Sequence, residues 1–274
     1  MYKRDIMYQF FIEENQLTGD RISILGSDVN HIKNVLRMKT GERVRVSVSY
    51  NGRSFFGIID TIMEDEVIVR IESEDENGTE LENRIYLFQG LPKGDKMELI
   101  IQKAVELGVY EIIPVAMKNC VVKLDDKKAA NKVKRWNAIS ESAAKQSKRT
   151  LIPEVQMPLT WKEALKKAEE LDVVLVPYEC ERGMEATREI MKQIQPGQSI
   201  AIFIGPEGGF SLEEIESIAP TRLEDDKAEE KKTEQDVQIS LHEKSHRISL
   251  GRRILRTETA GLATMSMLIF CLDE

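Results

Sequence analysis

Apolar and polar residues change their rhythm near residue 80. Before that point they alternate: Val44, Val46 and Val48 sit between polar neighbours, the period-two pattern of a strand with one buried face. Strands are predicted at 7–12, 21–25, 43–50, 54–62 and 67–71. Tight turns such as Asn51-Gly52 between them suggest a small barrel. One helix is expected at 28–37, with Ile32, Val35 and Leu36 on one side. Residues 72–82 hold six acidic and no basic residues around Asn77-Gly78, and read as a linker.

Beyond the linker, short apolar runs alternate with helical stretches. Strands are predicted at 85–89, 111–116, 172–177 and 199–204, helices at 95–107, 131–148 and 184–193, and a last helix from about Thr257. That order predicts an α/β fold, a parallel sheet covered by helices. Asp95 with Glu98, and Ser211 with Glu214, fit capping boxes, and Gly108 suits a helix stop. Residues 222–246 carry eight acidic and five basic residues and almost no large apolar one before Val237, so a mobile surface loop is expected there. Trp136, spaced with Val133, Ile139 and Ala143, is expected in the core rather than as a platform for stacking bases.

A chain of 274 residues is long enough for two domains, each with its own core. Residues 1–14 contain only the short run Phe10-Phe11-Ile12 before Glu13 and Glu14. That is neither a signal peptide nor a membrane span, and a cytoplasmic location is expected. Cys120, Cys180 and Cys271 are widely spaced and form no CxxC, which argues against a disulfide framework or a zinc site; reduced, mostly buried thiols and no metal are expected. A net charge of −8 argues against a protein that coats nucleic acid indiscriminately. Locally the balance inverts, because residues 118–149 carry ten basic residues against three acidic ones. Such a stretch is either a solvated surface or a footprint for phosphate.

Chemistry concentrates late in the chain. Gly205-Pro206-Glu207-Gly208-Gly209-Phe210-Ser211 follows an apolar strand and opens a helix, so its backbone can approach a ligand with no Cβ in the way, at the strand end where open α/β sheets bind ligands. It is neither GxGxxG nor a Walker loop. Taken alone it could be a tight turn with a helix cap. About forty residues on, Leu250-Gly251-Arg252-Arg253-Ile254-Leu255-Arg256-Thr257-Glu258-Thr259-Ala260 forms a second such loop, and the two imply one composite pocket.

Together these two stretches closely resemble the 16S ribosomal RNA uridine-N3 methyltransferase family of the SPOUT class. Matching blocks extend over most of the chain: His31-Ile32-Lys33-Asn34-Val35-Leu36-Arg37, Lys93-Gly94-Asp95-Lys96-Met97-Glu98, Gln102-Lys103-Ala104-Val105-Glu106-Leu107-Gly108, and Lys145-Gln146-Ser147-Lys148-Arg149. The acidic insertion at about 221–246 departs from the family pattern. The resemblance implies a PUA-like RNA-binding β-barrel at 1–75 and a SPOUT methyltransferase domain at 76–274, trefoil-knotted and dimerised across the knot. The knot follows from the resemblance alone; the order of elements by itself suggests a Rossmann-like sheet. The implied methyl donor is S-adenosylmethionine. Its wall would comprise Leu175, Val176, Pro177, Ile204, Gly205, Glu207, Gly209, Leu250, Gly251, Ile254, Leu255 and Thr259. The implied substrate is a decoding-region uridine of 16S rRNA within the small ribosomal subunit.

Uracil N3 bears a proton at neutral pH, so a carboxylate base and a cation near O2 or O4 would help. Glu258 is the candidate base and Arg256 the candidate charge stabiliser. Equally, Glu258 could serve the helix dipole and Arg256 could pair with Glu207. RNA contact is assigned to His31, Lys33, Arg37, Lys145, Gln146, Lys148 and Arg149; for His31 a packing role is an equal alternative. Two rival classes stand beside the enzyme. A dinucleotide-dependent oxidoreductase would lack its early GxGxxG, and a non-enzymatic ribosome-assembly factor would leave both ligand loops unexplained.

Overall fold

The computed structural model describes residues 7–76, 78–181, 183–220 and 241–272. The chain divides into two compact units, Met1–Glu80 with Glu141–Ile152, and Leu81–Ser140 with Pro153–Glu274.

The alternating pattern of the first unit builds a six-stranded sheet. Its strands are β1 (Tyr8–Ile12), β2 (Leu17–Thr18), β3 (Arg21–Leu25), β4 (Arg43–Val48), β5 (Ser54–Ile62) and β6 (Glu66–Glu74), in the order β1-β4-β5-β6-β3-β2. Val44, Val46 and Val48 turn one face of β4 inward against Phe10, Ile12, Ile22, Ile24, Val67 and Val69, all nearly inaccessible to water. The helix expected at 28–37 is shorter and less regular. A single α turn, α1 (Ser27–Asn30), passes into a π-helical turn at His31–Val35, and Arg37 takes a left-handed φ of 54° that ends it. The wider π turn rotates Val35 out to 64% exposure, leaving Ile32 as the buried anchor.

Within this unit the Glu80 carboxylate closes the loop that follows Lys148. It pairs with the buried guanidinium of Arg149 and accepts hydrogen bonds from the Thr150 N–H (2.8 Å) and the Leu151 N–H (3.2 Å). Removing it takes a carboxylate from the buried guanidinium and an acceptor from two backbone amides. Glu80→Ala is therefore expected to destabilise the protein by about 3 kcal/mol, read as a lower midpoint of urea unfolding.

The second unit is a parallel sheet of β7 (Arg84–Gly90), β8 (Glu111–Ala116), β9 (Glu154–Val155), β10 (Leu159–Thr160), β11 (Val173–Pro177), β12 (Ser199–Ile204) and β13 (Ser245–Ile248). Their order is β10-β8-β7-β12-β11-β13, with β9 also on β8. Strands β7 and β12 lie centrally and are buried along most of their length, as a sheet covered on both faces requires. The helices are α2 (Lys96–Glu106), α3 (Asp126–Ser147, whose residues from Glu141 belong to the first unit), α4 (Trp161–Ala168), α5 (Glu185–Gln193), α6 (Leu212–Ile218), the short α7 (Leu241–Lys244) and α8 (Thr257–Leu272). Trp136 of α3 is 2% exposed and belongs to the core. Phe88 of β7 and Phe203 of β12 stack at 4.3 Å between ring centroids, with Trp161 of α4 edge-on to Phe203.

Several local expectations need correction. Asp95 stands before α2 with φ −96° and ψ 11°, outside the extended geometry that lets a side chain cap, and Glu98 turns instead to Arg135 at 2.8 Å. The box at Ser211 forms: its hydroxyl accepts from Glu214 N–H, and Glu214 Oε2 accepts from Ser211 N–H at 2.8 Å. Gly108 ends α2 with φ 82°. Of the loop expected at 222–246, residues 222–240 lie outside the described residues, while 241–246 belong to α7 and β13. Strand β13 is an edge partner of β11; it buries only Ser245 and Ile248, so its polar sequence hid it. Of the three cysteines only Cys120 is buried; Cys180 follows β11 in a surface turn and Cys271 sits on an exposed face of α8.

Candidate active site

Strand β12 is apolar to its last residue and delivers Gly205 at the carboxyl edge of the sheet. There the loop folds back on itself. A Cβ on Gly205 would lie 3.1 Å from the Gly209 carbonyl carbon, and Gly209 itself needs a left-handed φ of 66°. Asn119 clamps the loop from outside, its Nδ2 donating to Gly208 O at 3.1 Å and Gly209 O at 3.2 Å. Trp161 holds Phe210 edge-on at 6.2 Å. The second loop leaves β13 at Ser249, whose N–H donates to Thr187 Oγ1 (3.0 Å), while that hydroxyl donates to Ser249 O (3.1 Å). It turns at Gly251, φ 100°, and enters α8 at Thr257, whose hydroxyl donates to Gly205 O at 2.7 Å. The two loops thus meet.

Between them lies a cavity of about 410 Å³, within the roughly 300–1,000 Å³ usual for small-ligand sites. Of the residues expected to form a donor wall, Pro177, Ile204, Gly205, Glu207, Gly209, Leu250, Gly251, Ile254 and Leu255 line it. Leu175 and Val176 lie fully buried within β11, and Thr259 is exposed on α8, all outside the lining. Arg256 lines the cavity with Arg252 and Arg253, all three exposed.

Lys96, the first residue of α2, joins this wall and had no role assigned from sequence. Its ammonium stands 2.9 Å from Glu207 Oε1 and 3.3 Å from Glu258 Oε2, one cation between two carboxylates. Glu207 thus pairs with Lys96, and its Oε1 also accepts from Lys93 N–H at 3.1 Å. Desolvation pushes the Glu207 carboxyl up, but Lys96 and the backbone N–H groups of Glu207 and Lys93 together hold it below the usual carboxylate range. The hydrogen bond to Glu207 in turn raises Lys96, against desolvation and with help from Glu258. Glu258 is only 16% exposed through its side chain; its Oε2 is shielded from solvent and, among the described residues, has the Lys96 ion pair but no hydrogen bond of good geometry.

A family model described as an RNA methyltransferase domain matches residues 79–224, and one described as an RNA methyltransferase PUA domain matches residues 24–72. The ribosomal RNA small subunit methyltransferase E of Bacillus subtilis is 35% identical over 273 residues, covering 96% of each chain. The chain belongs to the ribosomal RNA small subunit methyltransferase E family. The Mesomycoplasma hyopneumoniae relative of the same name is 33% identical over 266 residues, 96% of this chain and 99% of its own. A crystal structure of the Neisseria gonorrhoeae member, bound to S-adenosyl methionine, superposes with a TM-score of 0.73 at 27% identity, covering 96% of this chain and 97% of that one. Among the described residues no helix is long and apolar enough to cross a membrane, and no group of three or more His, Cys, Asp or Glu side chains is placed to hold a metal.

Set in this family member, the residues assigned to RNA contact divide into two kinds. His31, Arg37, Gln146 and Lys148 are exposed. Lys33 donates to Met63 O (2.9 Å) and Glu64 O (3.1 Å), Lys145 lies between Asp28 (3.5 Å) and Glu141 (2.9 Å), and Arg149 is buried against Glu80. His31 also meets the Phe10 ring edge-on at 6.4 Å. Lys148, though exposed, also donates to Met7 O at 3.1 Å, so four of the seven are engaged within the protein.

Proposed function

We propose that this chain transfers a methyl group from S-adenosylmethionine to N3 of a decoding-region uridine in 16S rRNA. The observation that carries the reading is the meeting of both glycine loops around one cavity, with Lys96, Glu207 and Glu258 at its side. The residues present fit that donor. Ile204, Leu250, Ile254 and Leu255 offer apolar surface for an adenine ring, the glycines at 205, 209 and 251 offer bare backbone for its edges, and Glu207 offers a carboxylate for hydroxyl or amino groups. Bound there, the sulfonium would supply an electrophilic methyl that already carries its leaving group. The protein's part is to hold the uracil in line and take the N3 proton. In this reading Glu258 takes it, while Arg256 stabilises charge developing on a uracil oxygen.

The first domain, 1–75, serves as a PUA-like barrel that grips RNA, and 76–274 as a SPOUT domain with a trefoil knot, working as a cytoplasmic homodimer. An apolar α8 that leaves Phe270 89% exposed, together with exposed Leu212 and Ile254, supports a covered interface. Of the residues assigned to RNA, His31, Arg37, Gln146 and Lys148 would meet phosphate directly. Lys33, Lys145 and Arg149 would hold the backbone that presents them. Access to N3 requires a uridine that is unpaired or flipped out.

Calorimetry with S-adenosylmethionine and with NAD, followed by mass-spectrometric mapping of small ribosomal subunits after incubation, tests the reading. Donor binding and one added methyl on a uridine base are expected; binding of NAD, or of neither, would overturn it. Arg37→Glu with Lys148→Glu is expected to weaken RNA binding and flatten its salt dependence by about one to two units of slope. An unchanged slope removes these residues from the footprint.

A further inference from the structure

Gln89 is wholly buried at the end of β7, beside Ile204 of the cavity wall in the β7–β12 register. Its Nε2 donates to Gly90 O at 3.0 Å and to Thr257 Oγ1 at 2.9 Å. The Gly90 carbonyl fixes which way the amide lies, since a flipped Gln89 would set oxygen against oxygen. Both hydrogens of Nε2 are then spoken for, and Thr257 receives one of them. A hydroxyl has a single proton, so that of Thr257 goes to Gly205 O, 2.7 Å away. The three groups form a chain of fixed polarity, from amide to hydroxyl to the first carbonyl of the glycine loop.

Two further features show what this arrangement costs and what permits it. Gln89 Oε1 is buried with no hydrogen-bond partner among the described residues, an expense that a methionine or leucine at this position would avoid. One turn into α8, Gly261 has no side chain where a Cβ would already touch Ile204 at 3.4 Å and Leu87 at 3.5 Å, so the helix lies close over β7 and β12. That closeness brings Thr257 within reach of both partners.

We propose that Gln89 and Thr257 are positioning residues of the donor site. Their relay pins the Gly205 carbonyl, ties the loop entering α8 to the loop leaving β12, and so holds the cavity wall in its binding shape before any ligand arrives. The inference rests on the donor reading above, and its test separates the two. Thr257→Val and Gln89→Met preserve volume and remove the relay from opposite ends; Thr257→Ser keeps the hydroxyl. S-adenosylmethionine affinity is measured by calorimetry, and amide hydrogen exchange over 205–211 is followed in the ligand-free proteins at a temperature where all are folded.

Thr257→Val and Gln89→Met are each expected to weaken donor binding about tenfold and to speed exchange in that loop, with the double variant little worse than either alone. Thr257→Ser should behave as the parent does. A merely structural role would lower the melting temperature of the variants and leave donor affinity unchanged, and that result overturns the proposal. Should the parent protein bind no donor, the donor reading falls and donor positioning with it. Exchange then decides the loop latch alone: unchanged rates in both variants would overturn that too.

Discussion

Glu258→Gln should slow methyl transfer at saturating donor by about a hundredfold or more while leaving donor affinity near that of the parent. The expectation follows from where the carboxylate sits. Glu258 lies outside the residues that line the cavity, and an isosteric amide there leaves Lys96 its closer pair with Glu207. The Glu258 Oε2 is shielded from water and faces the Lys96 ammonium at 3.3 Å. Uracil N3 must lose its proton as the methyl arrives, and each pKa unit by which a site favours the anion is worth about 1.4 kcal/mol. A positioned base contributes on the order of 10²–10⁴ in rate, and glutamine cannot accept that proton. Single-turnover methylation of the RNA substrate with donor prebound isolates this step from product release. A near-normal rate would return Glu258 to the role of a carboxylate serving the start of α8.

The periodic parts of this chain were legible because burial of one face dictates them. The alternation of Val44, Val46 and Val48 defined β4, and the unbroken apolar run ending at Ile204 defined a central strand of the parallel sheet. Elements that escaped are those whose burial is slight. Strand β13 needs only Ser245 and Ile248 inside because β11 satisfies its backbone from one side. Helix α4 carried a readable signal that went unused: Thr160 and Glu163 form a capping box, with the Thr160 hydroxyl accepting from Glu163 N–H at 3.3 Å. Asp95 and Glu98 show the same motif failing, because a cap depends on backbone angles that sequence spacing does not fix.

The site was legible in its loops and opaque in its cross-links. Glycines spaced within seven residues announce a backbone that must approach something closely, and both loops do line one cavity. Nothing local announces that Lys96 will stand between Glu207 and Glu258, because they come together only when α2 and α8 lie beside the carboxyl edge of the sheet. Gln89 is a sharper case. It occupies a strand position where an apolar residue would be expected, and that mismatch between a buried site and a polar side chain is the single trace in sequence of its hydrogen bonds to Gly90 and Thr257. Arg149 marks the reverse error. Its place in a basic stretch pointed outward, whereas the Glu80 carboxylate draws it inside.

Gly90→Ala carries the second large effect. A Cβ at this position would lie 2.7 Å from the nitrogen of Pro206 and 2.8 Å from its Cδ, with Met117 Sδ at 3.0 Å. Met117 can swing away, but the two nearest atoms are backbone and a rigid ring and cannot. Gly90 has no left-handed φ, which makes the obstruction wholly steric. Relief requires Pro206 to move, and with it its neighbours Gly205 and Glu207, which form the donor wall and hold Lys96. Overpacking of this kind costs about 1–3 kcal/mol. Borne by the binding-competent arrangement, that corresponds to a loss of donor affinity of roughly five- to 150-fold. Gly261→Ala is the matched control, because its Cβ would make ordinary contact at 3.4 Å and helix propensity favours alanine by about 1 kcal/mol. Calorimetric titration should therefore show weak donor binding for the first variant and parental binding for the second. Equal affinities would mean that the β7 terminus and the Pro206 loop are not packed together as the donor site requires.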